Sequence, residues 1–265
     1  MNGKQLNIGP YQTNHFIFLG ICIICIIGVL LFAIKKKLSL RTLTFFMLVV
    51  SIISEIIKMI HYIEPTYSEY GLIDGGVLNK EALPFHMCSI QIFLIIIVLI
   101  TENQKLKNTL LAFIYPTGFM GATMSLLIPT IDIEFTSLLT YQYFLYHAFL
   151  IAFGLYIPLS KEVEINFKSY VKTSIILTSL FMCSIWINSL LSDPVNHLYT
   201  NFFFSSKPPI EGLPYLNMNQ GWPMYVLKVF ILGIILVTLV HVPFFIKEYR
   251  SRKISNSKQK VIIEK

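Results

Sequence analysis

The segment Leu83-Pro84-Phe85-His86-Met87-Cys88-Ser89 opens a long apolar run and carries a cysteine four residues after a proline. Proline suits the first turn of a helix. Cys88 therefore falls within the first turn or two, near the positive end of the helix. That position favours the thiolate, the nucleophilic form. A cysteine nucleophile works by covalent catalysis and needs a base. His147, at matching depth on another helix, is one candidate. His86 is the rival, although residues two apart on a helix face different sides.

Further polar residues lie in apolar stretches, where a charge is costly and its presence points to function. At a rise of about 1.5 Å per residue, Glu55 lies about 9 Å below the outer end of its span and Lys58 about 5 Å. His86, Cys88 and Gln91 come out roughly 3–10 Å down, and His147 and Lys228 near 9 Å. Asn188 is at similar depth, and His61 is near the outer surface. Glu55 and Lys58, spaced i,i+3, can pair on one helix face. Lys228 then needs its own acceptor or can snorkel to headgroups. A shared depth suggests one polar pocket open to the outer leaflet. The alternative is a set of unconnected interhelical hydrogen bonds. His241, near the inner end of the last span, reads as an interfacial residue.

The elements that must hold these groups are transmembrane helices. The chain has 265 residues, 55% hydrophobic and 13% charged, with a mean hydropathy of +0.67. A soluble domain needs more charge to cover its surface. The spans are expected at about 16–34, 42–61, 84–101, 109–128, 141–159, 171–191 and 222–246. The fold class is all-α, a polytopic membrane bundle of seven helices. A 1–15 tail lies outside, and a basic 247–265 tail lies in the cytoplasm, where it is expected to be mobile near anionic headgroups. Lys35, Lys36, Lys37, Arg41, Lys105, Lys107, Lys161, Lys168, Lys172 and the basic tail share one side. The other side holds only Lys4, Lys80 and Lys207. The acidic residues Glu64, Glu69, Asp74, Glu81, Asp132, Glu134, Asp193 and Glu211 favour that second side. This asymmetry sets the orientation. It also accounts for the net charge of +7 without a nucleic-acid partner. The apolar run ending in Lys35-Lys36-Lys37 reads as a retained first span rather than a signal peptide.

Four cysteines make no disulfide framework, and Cys22-x-x-Cys25 lacks the βαβ setting of a redox motif. Cys22, Cys25 and Cys183 read as small apolar residues within helices. Gly118, Gly121, Ala122 and Ser125 form a small-residue stripe for close packing. The outer segment 192–221, with Phe202-Phe203-Phe204, Lys207-Pro208-Pro209 and Trp222-Pro223 at its end, suits an interfacial anchor or a lid.

Leu83-Pro84-Phe85-His86-Met87-Cys88-Ser89 resembles the Leu-Pro-Leu-His-x-Cys-Ser hallmark of the bacterial YwaF-like membrane family. Tyr115-Pro116-x-Gly118-x-x-Gly121-Ala122 with Leu127-Ile128-Pro129 is similar to that family too. So are Gln142-Tyr143-Phe144-x-x-x-His147, Trp222-Pro223-x-Tyr225, and Asn201-Phe202-Phe203-Phe204-Ser205-Ser206-Lys207-Pro208. Phe202 and Phe203 depart from the family's Asn-Tyr-Met-Phe-x-x-Lys-Pro. The YwaF-like family in turn resembles the transmembrane protein 164 family of seven-span phospholipid acyltransferases. The resemblance implies a cysteine acyl-enzyme at Cys88 with His147 as general base, membrane phospholipid as partner, and neither metal nor cofactor.

The expected function is acyl transfer or ester hydrolysis at the outer leaflet of the cell membrane. Asn201, Lys207 or the early amides of span three would stabilise the oxyanion. Glu55 would orient a histidine or neutralise Lys58. A seven-helix receptor and a transporter are the alternatives. The chain shows neither an Asp/Glu-Arg-Tyr end to span three, nor an Asn-Pro-x-x-Tyr, nor an internal repeat. Protein partners, the lipid and the oligomeric state are not legible.

Overall fold

The computed structural model describes residues 11–67, 73–131, 133–192, 199–209 and 213–263, excepting the side chains of 64–67, 73–78 and 254–263. Lys4, Glu69, Asp132, Asp193, Glu211 and Lys265, used above for orientation, lie outside them. Seven helices account for most of the chain. They are α1 (Thr13–Lys35), α2 (Leu40–His61), α3 (Met87–Ile100), α4 (Gln104–Leu127), α5 (Leu138–Ser160), α6 (Phe167–Leu191) and α7 (Trp222–Ile263). Six of them are long and apolar enough to cross a membrane.

The exception is α3. Its 14 residues span about 21 Å, short of the hydrocarbon core of about 30 Å. The expected start at residue 84 fails because His86 is extended (φ −68°, ψ 150°) and the helix begins only after it. A 3₁₀ turn, Lys80–Ala82, precedes it. Cys88 still occupies the first turn.

The centre of the bundle is α4 with α5. In each, 61% of the apolar window is buried, against 17–28% for α1, α2, α6 and α7. Both α1 and α2 pack on α5, and α6 packs between α4 and α7. Ile24, Leu31, Phe45, Trp186 and Leu239 project outward. Such apolar exposure suits a surface solvated by lipid.

Three loops gather at one end. Tyr156 near the end of α5 donates its hydroxyl to the Leu38 carbonyl, and Glu162 Oε1 accepts from the Leu40 N–H at 2.8 Å. The end of α3 and the start of α4 line a crevice with these residues. At the other end, His15 of α1 donates Nε2–H to the Leu126 carbonyl at 2.8 Å and accepts from the Tyr11 N–H. Lys80 there donates to the Leu191 carbonyl at 2.9 Å.

Pro116 interrupts α4 from within. Proline removes a helix donor and crowds the preceding turn, and the chain answers with a π turn over Thr117–Gly121. Gly154 of α5 lies against this turn. A Cβ there would sit 2.9 Å from the Phe119 nitrogen and 3.0 Å from the Tyr115 carbonyl oxygen. The small-residue stripe takes part in this packing, with Gly118 against Leu150 and Ala122 fully buried.

Three features differ from the sequence reading. The loop between α2 and α3 forms an antiparallel hairpin, Ile63–Tyr67 with Ile73–Leu78. Its register shifts between Glu64 and Thr66, where Pro65 has no N–H for the ladder. The last helix, expected to end near 246, continues through Ile263. Finally, His241 is buried rather than interfacial. Its Nδ1–H donates to the Val237 carbonyl, and the rings of Tyr115, Tyr170 and Phe245 surround it.

Candidate functional site

The polar residues toward the end of the bundle where α3 begins fall into one connected cluster and several separate contacts. The cluster begins with Glu55 and Lys58, one helical turn apart on α2 and in direct ion contact. Ser89 of α3 joins them. Its Oγ accepts from Lys58 Nζ at 3.0 Å and its hydroxyl donates to Glu55 Oε2 at 2.9 Å. The next residue along the chain is the half-buried Cys88.

Around Cys88, Ser125 of α4 places its Oγ 3.9 Å from Sγ. Tyr146 of α5 donates its hydroxyl to the Cys88 carbonyl at 2.7 Å. Tyr143, one turn earlier, donates to the Ser125 carbonyl at 2.8 Å. These contacts bring α3, α4 and α5 together on the cysteine. Because α3 begins at Met87, its first turn leaves donors unused. Among the described residues, none of the Met87, Cys88 and Ser89 N–H groups has a hydrogen-bond acceptor.

His147 lies on the same stretch of α5, buried, its ring 4.4 Å from that of Tyr143 and 5.5 Å from that of Tyr146. Its Nδ1 is 2.6 Å from the Tyr143 carbonyl, which can only accept. Nδ1 therefore carries the proton and Nε2 presents a lone pair. Among the described residues nothing hydrogen-bonds Nε2, and no hydrogen bond joins His147 to Cys88.

His86 is held elsewhere. Its Nε2–H donates to the Glu81 carbonyl at 3.0 Å, and its ring meets that of Phe202 at 4.9 Å. Burial lifts the Glu81 carboxyl above its ordinary value, and the Lys207 ammonium draws it partly back. Gln91 is buried and tethers α3 to the π turn through Thr117 Oγ1 at 3.1 Å.

Asn201, a sequence candidate for the oxyanion, is spent on its own loop. Its Nδ2 donates to the Lys207 carbonyl, and its Oδ1 accepts from the Ser206 and Lys207 N–H groups. Lys228 stands apart over the Tyr215 ring at 5.9 Å, not in the Glu55 cluster. Asn188 likewise serves structure. It bonds Phe202 through both N–H and carbonyl and adds Ser205. Cys183, expected to be buried in its helix, is exposed on the lipid-facing side.

The described part of the loop between α6 and α7 covers this end of the bundle. Phe202 is fully buried against Phe85 and His86. Phe203 and Phe204 adopt left-handed backbone, φ 56° and 54°, at about 1–2 kcal/mol each. Hydrogen bonds offset that strain. Tyr225 donates to the Phe204 carbonyl at 2.5 Å, and Trp222 Nε1–H to the Ser205 carbonyl at 3.0 Å.

The Glu55–Lys58 contact predicts a stability effect. Removing one partner of a fully buried pair costs about 3–5 kcal/mol, whereas replacing both with apolar groups is often neutral. Glu55 and Lys58 are half-buried, so the single loss falls below that range. Glu55→Leu alone should lower the thermal midpoint sharply, and Glu55→Leu/Lys58→Met should restore most of the loss. Unfolding of the three proteins in one detergent checks this.

Ser89, Ser125, Tyr143 and Tyr146 were not among the sequence candidates for chemistry. Two signals were present. Ser89 adjoins Cys88, and Tyr143 and Tyr146 lie four and one residues before His147.

A bundle of long apolar helices with an ion-paired cluster and a first-turn thiol defines a polytopic membrane protein with a polar site toward the end where α3 begins. Residues 10–241 match the TMEM164 family. The chain belongs to that family. No curated protein and no solved structure matches it.

Proposed function

We propose that this chain is a cysteine-dependent acyltransferase or acyl hydrolase of the YwaF-like branch, acting on phospholipid at the outer leaflet of the cell membrane. The observation that carries the reading is the first turn of α3. A thiol and three unspent backbone N–H groups share it, which is the pairing that nucleophile and oxyanion stabilisation require.

Cys88 Sγ attacks the ester carbonyl, and the thiol proton passes to His147 Nε2. The tetrahedral oxyanion takes hydrogen bonds from the free amides. Collapse breaks the C–O bond, and the lysolipid leaves with the proton returned from His147. A thioester remains on Cys88. An acceptor hydroxyl or water then attacks the thioester, His147 again carries the proton, and the thiol is regenerated. Tyr143 holds the histidine in the required tautomer. Glu55 neutralises Lys58 beside the site. His147→Ala should lower turnover of a radiolabelled phospholipid about 10²–10⁴-fold with normal membrane insertion. Unchanged turnover contradicts the role.

The gathering of the 36–39, 101–103 and 161–166 loops at one end supports a topology of seven traverses, with α3 as a short one, the N-terminus outside and the basic end in the cytoplasm. Cysteines introduced at Ser255 and Asp74 should then be labelled from opposite faces of the cell, Ser255 from within. Labelling of both from one face contradicts the orientation.

A further inference from the structure

At the end opposite Cys88 lies a crevice of about 140 Å³ between the starts of α2 and α4, the end of α3 and the α5–α6 loop. Its floor is apolar, formed by Val98, Leu99 and Leu111. Arg41 and Lys107 stand in its wall. Neither makes an ion pair or side-chain hydrogen bond among the described residues. The acid that shares the crevice is Glu162, and one of its oxygens is engaged by the Leu40 N–H.

Two helix N-termini converge here. Ser39 caps α2 and Asn103 caps α4, and the first turns of both helices line the hollow. The amide of Asn108 lies in the lining as well, its Oδ1 taken by Gln104. Two unpaired cations and two helix starts outweigh one engaged carboxylate.

We infer that this crevice binds a phosphate group, with Arg41 and Lys107 as its ligands. A guanidinium matches phosphate oxygens in bidentate geometry and an ammonium adds a point charge. An apolar floor under a cationic rim, at a bundle end rich in lysine, matches the glycerol-phosphate region of an anionic lipid. A soluble phosphate compound offers the same charged group without the apolar part. The site is separate from the chemistry proposed at Cys88 and does not depend on it.

The test titrates the purified full-length protein in a neutral detergent with short-chain phosphatidylglycerol, phosphatidylcholine or inorganic phosphate, reading the thermal midpoint. Wild type should be stabilised more by phosphatidylglycerol than by phosphatidylcholine, which has no net charge and reports lipid binding elsewhere, including at Cys88. Arg41→Gln/Lys107→Gln should weaken that binding by about tenfold or more. Lys36→Gln/Lys168→Gln removes equal charge outside the crevice and should change it by no more than about twofold. Stabilisation by inorganic phosphate, lost in the crevice variant, assigns the site to a soluble phosphate. Response to the lipid alone assigns it to a headgroup. Equal binding by the crevice variant and wild type overturns the proposal, as does equal weakening in the control variant or no response of wild type to either phosphate probe. Each variant's midpoint without ligand shows whether the fold is intact.

Discussion

Replacing Cys88 with alanine will reduce phospholipid acyl turnover by about 10³-fold or more, the scale on which losing a covalent nucleophile acts. The protein should still insert and fold. Cys88 is half-buried, and its thiol makes one long contact, to Ser125 at 3.9 Å. The stabilising contacts around it use its backbone, through Tyr146, and its neighbour Ser89. Alanine keeps all of these. The other cysteines give the comparison: Cys22→Ala, Cys25→Ala and Cys183→Ala should leave turnover within about twofold, because none adjoins the cluster. A receptor or transporter has no reason to separate Cys88 from the other three in a turnover assay.

Gly154→Ala should be the most damaging of the small core substitutions. The new methyl carbon would lie 2.9 Å from the Phe119 nitrogen and 3.0 Å from the Tyr115 oxygen, both main-chain atoms of the segment entering the π turn. Main chain yields less easily than the end of a flexible side chain, so α4 and α5 must separate. Overpacking of this kind costs about 1–3 kcal/mol. The displacement would reach the site, because Ser125 follows the π turn on α4 and Tyr143, Tyr146 and His147 lie on α5. Both the thermal midpoint and lipid turnover should fall. Gly28→Ala is the control. Nothing lies within 4 Å of a Cβ at that position, and alanine favours helix over glycine, so the midpoint should hold or rise slightly.

The sequence made some of this architecture plain. Long apolar stretches marked the six long helices, with ends within about five residues except the last, where α7 runs on from the expected 246 to Ile263. Glu55 and Lys58 could be paired from spacing alone, since i,i+3 neighbours share a helix face. Proline followed by His-Met-Cys located the start of α3 to within three residues. Depth counting also put Cys88, Glu55 and Lys58 at one level, but depth says nothing of direction around a helix. Lys228 shares that level and meets Tyr215 instead. Gln91 and Asn188 share it and tie helices or loops together.

What remained hidden depended on tertiary packing. Ser125 looked like one member of a small-residue stripe. Only the rotation of α4 after its π turn sets its hydroxyl toward Cys88. The span expected at 109–128 ran straight through Pro116, and nothing in it marked the π turn that follows. The burial of His241 required the positions of Tyr115 on α4 and Tyr170 on α6, which no local pattern supplies. Asn201 lay in a segment whose resemblance suggested importance. Its amide turned out to hold the backbone of 206 and 207 in place. It supports the loop between α6 and α7, and its hydrogen bonds stay within that loop.

The acyl-enzyme itself gives the most direct test. Purified wild-type protein incubated with phospholipid and quenched in acid should gain the mass of one acyl chain on the peptide containing Cys88. Neutral hydroxylamine should remove it, because the bond is a thioester. His147→Ala should form the adduct more slowly, and Cys88→Ala should show none. Turnover of phospholipid by Cys88→Ala at the wild-type rate would contradict the account, as would an adduct on any residue other than Cys88.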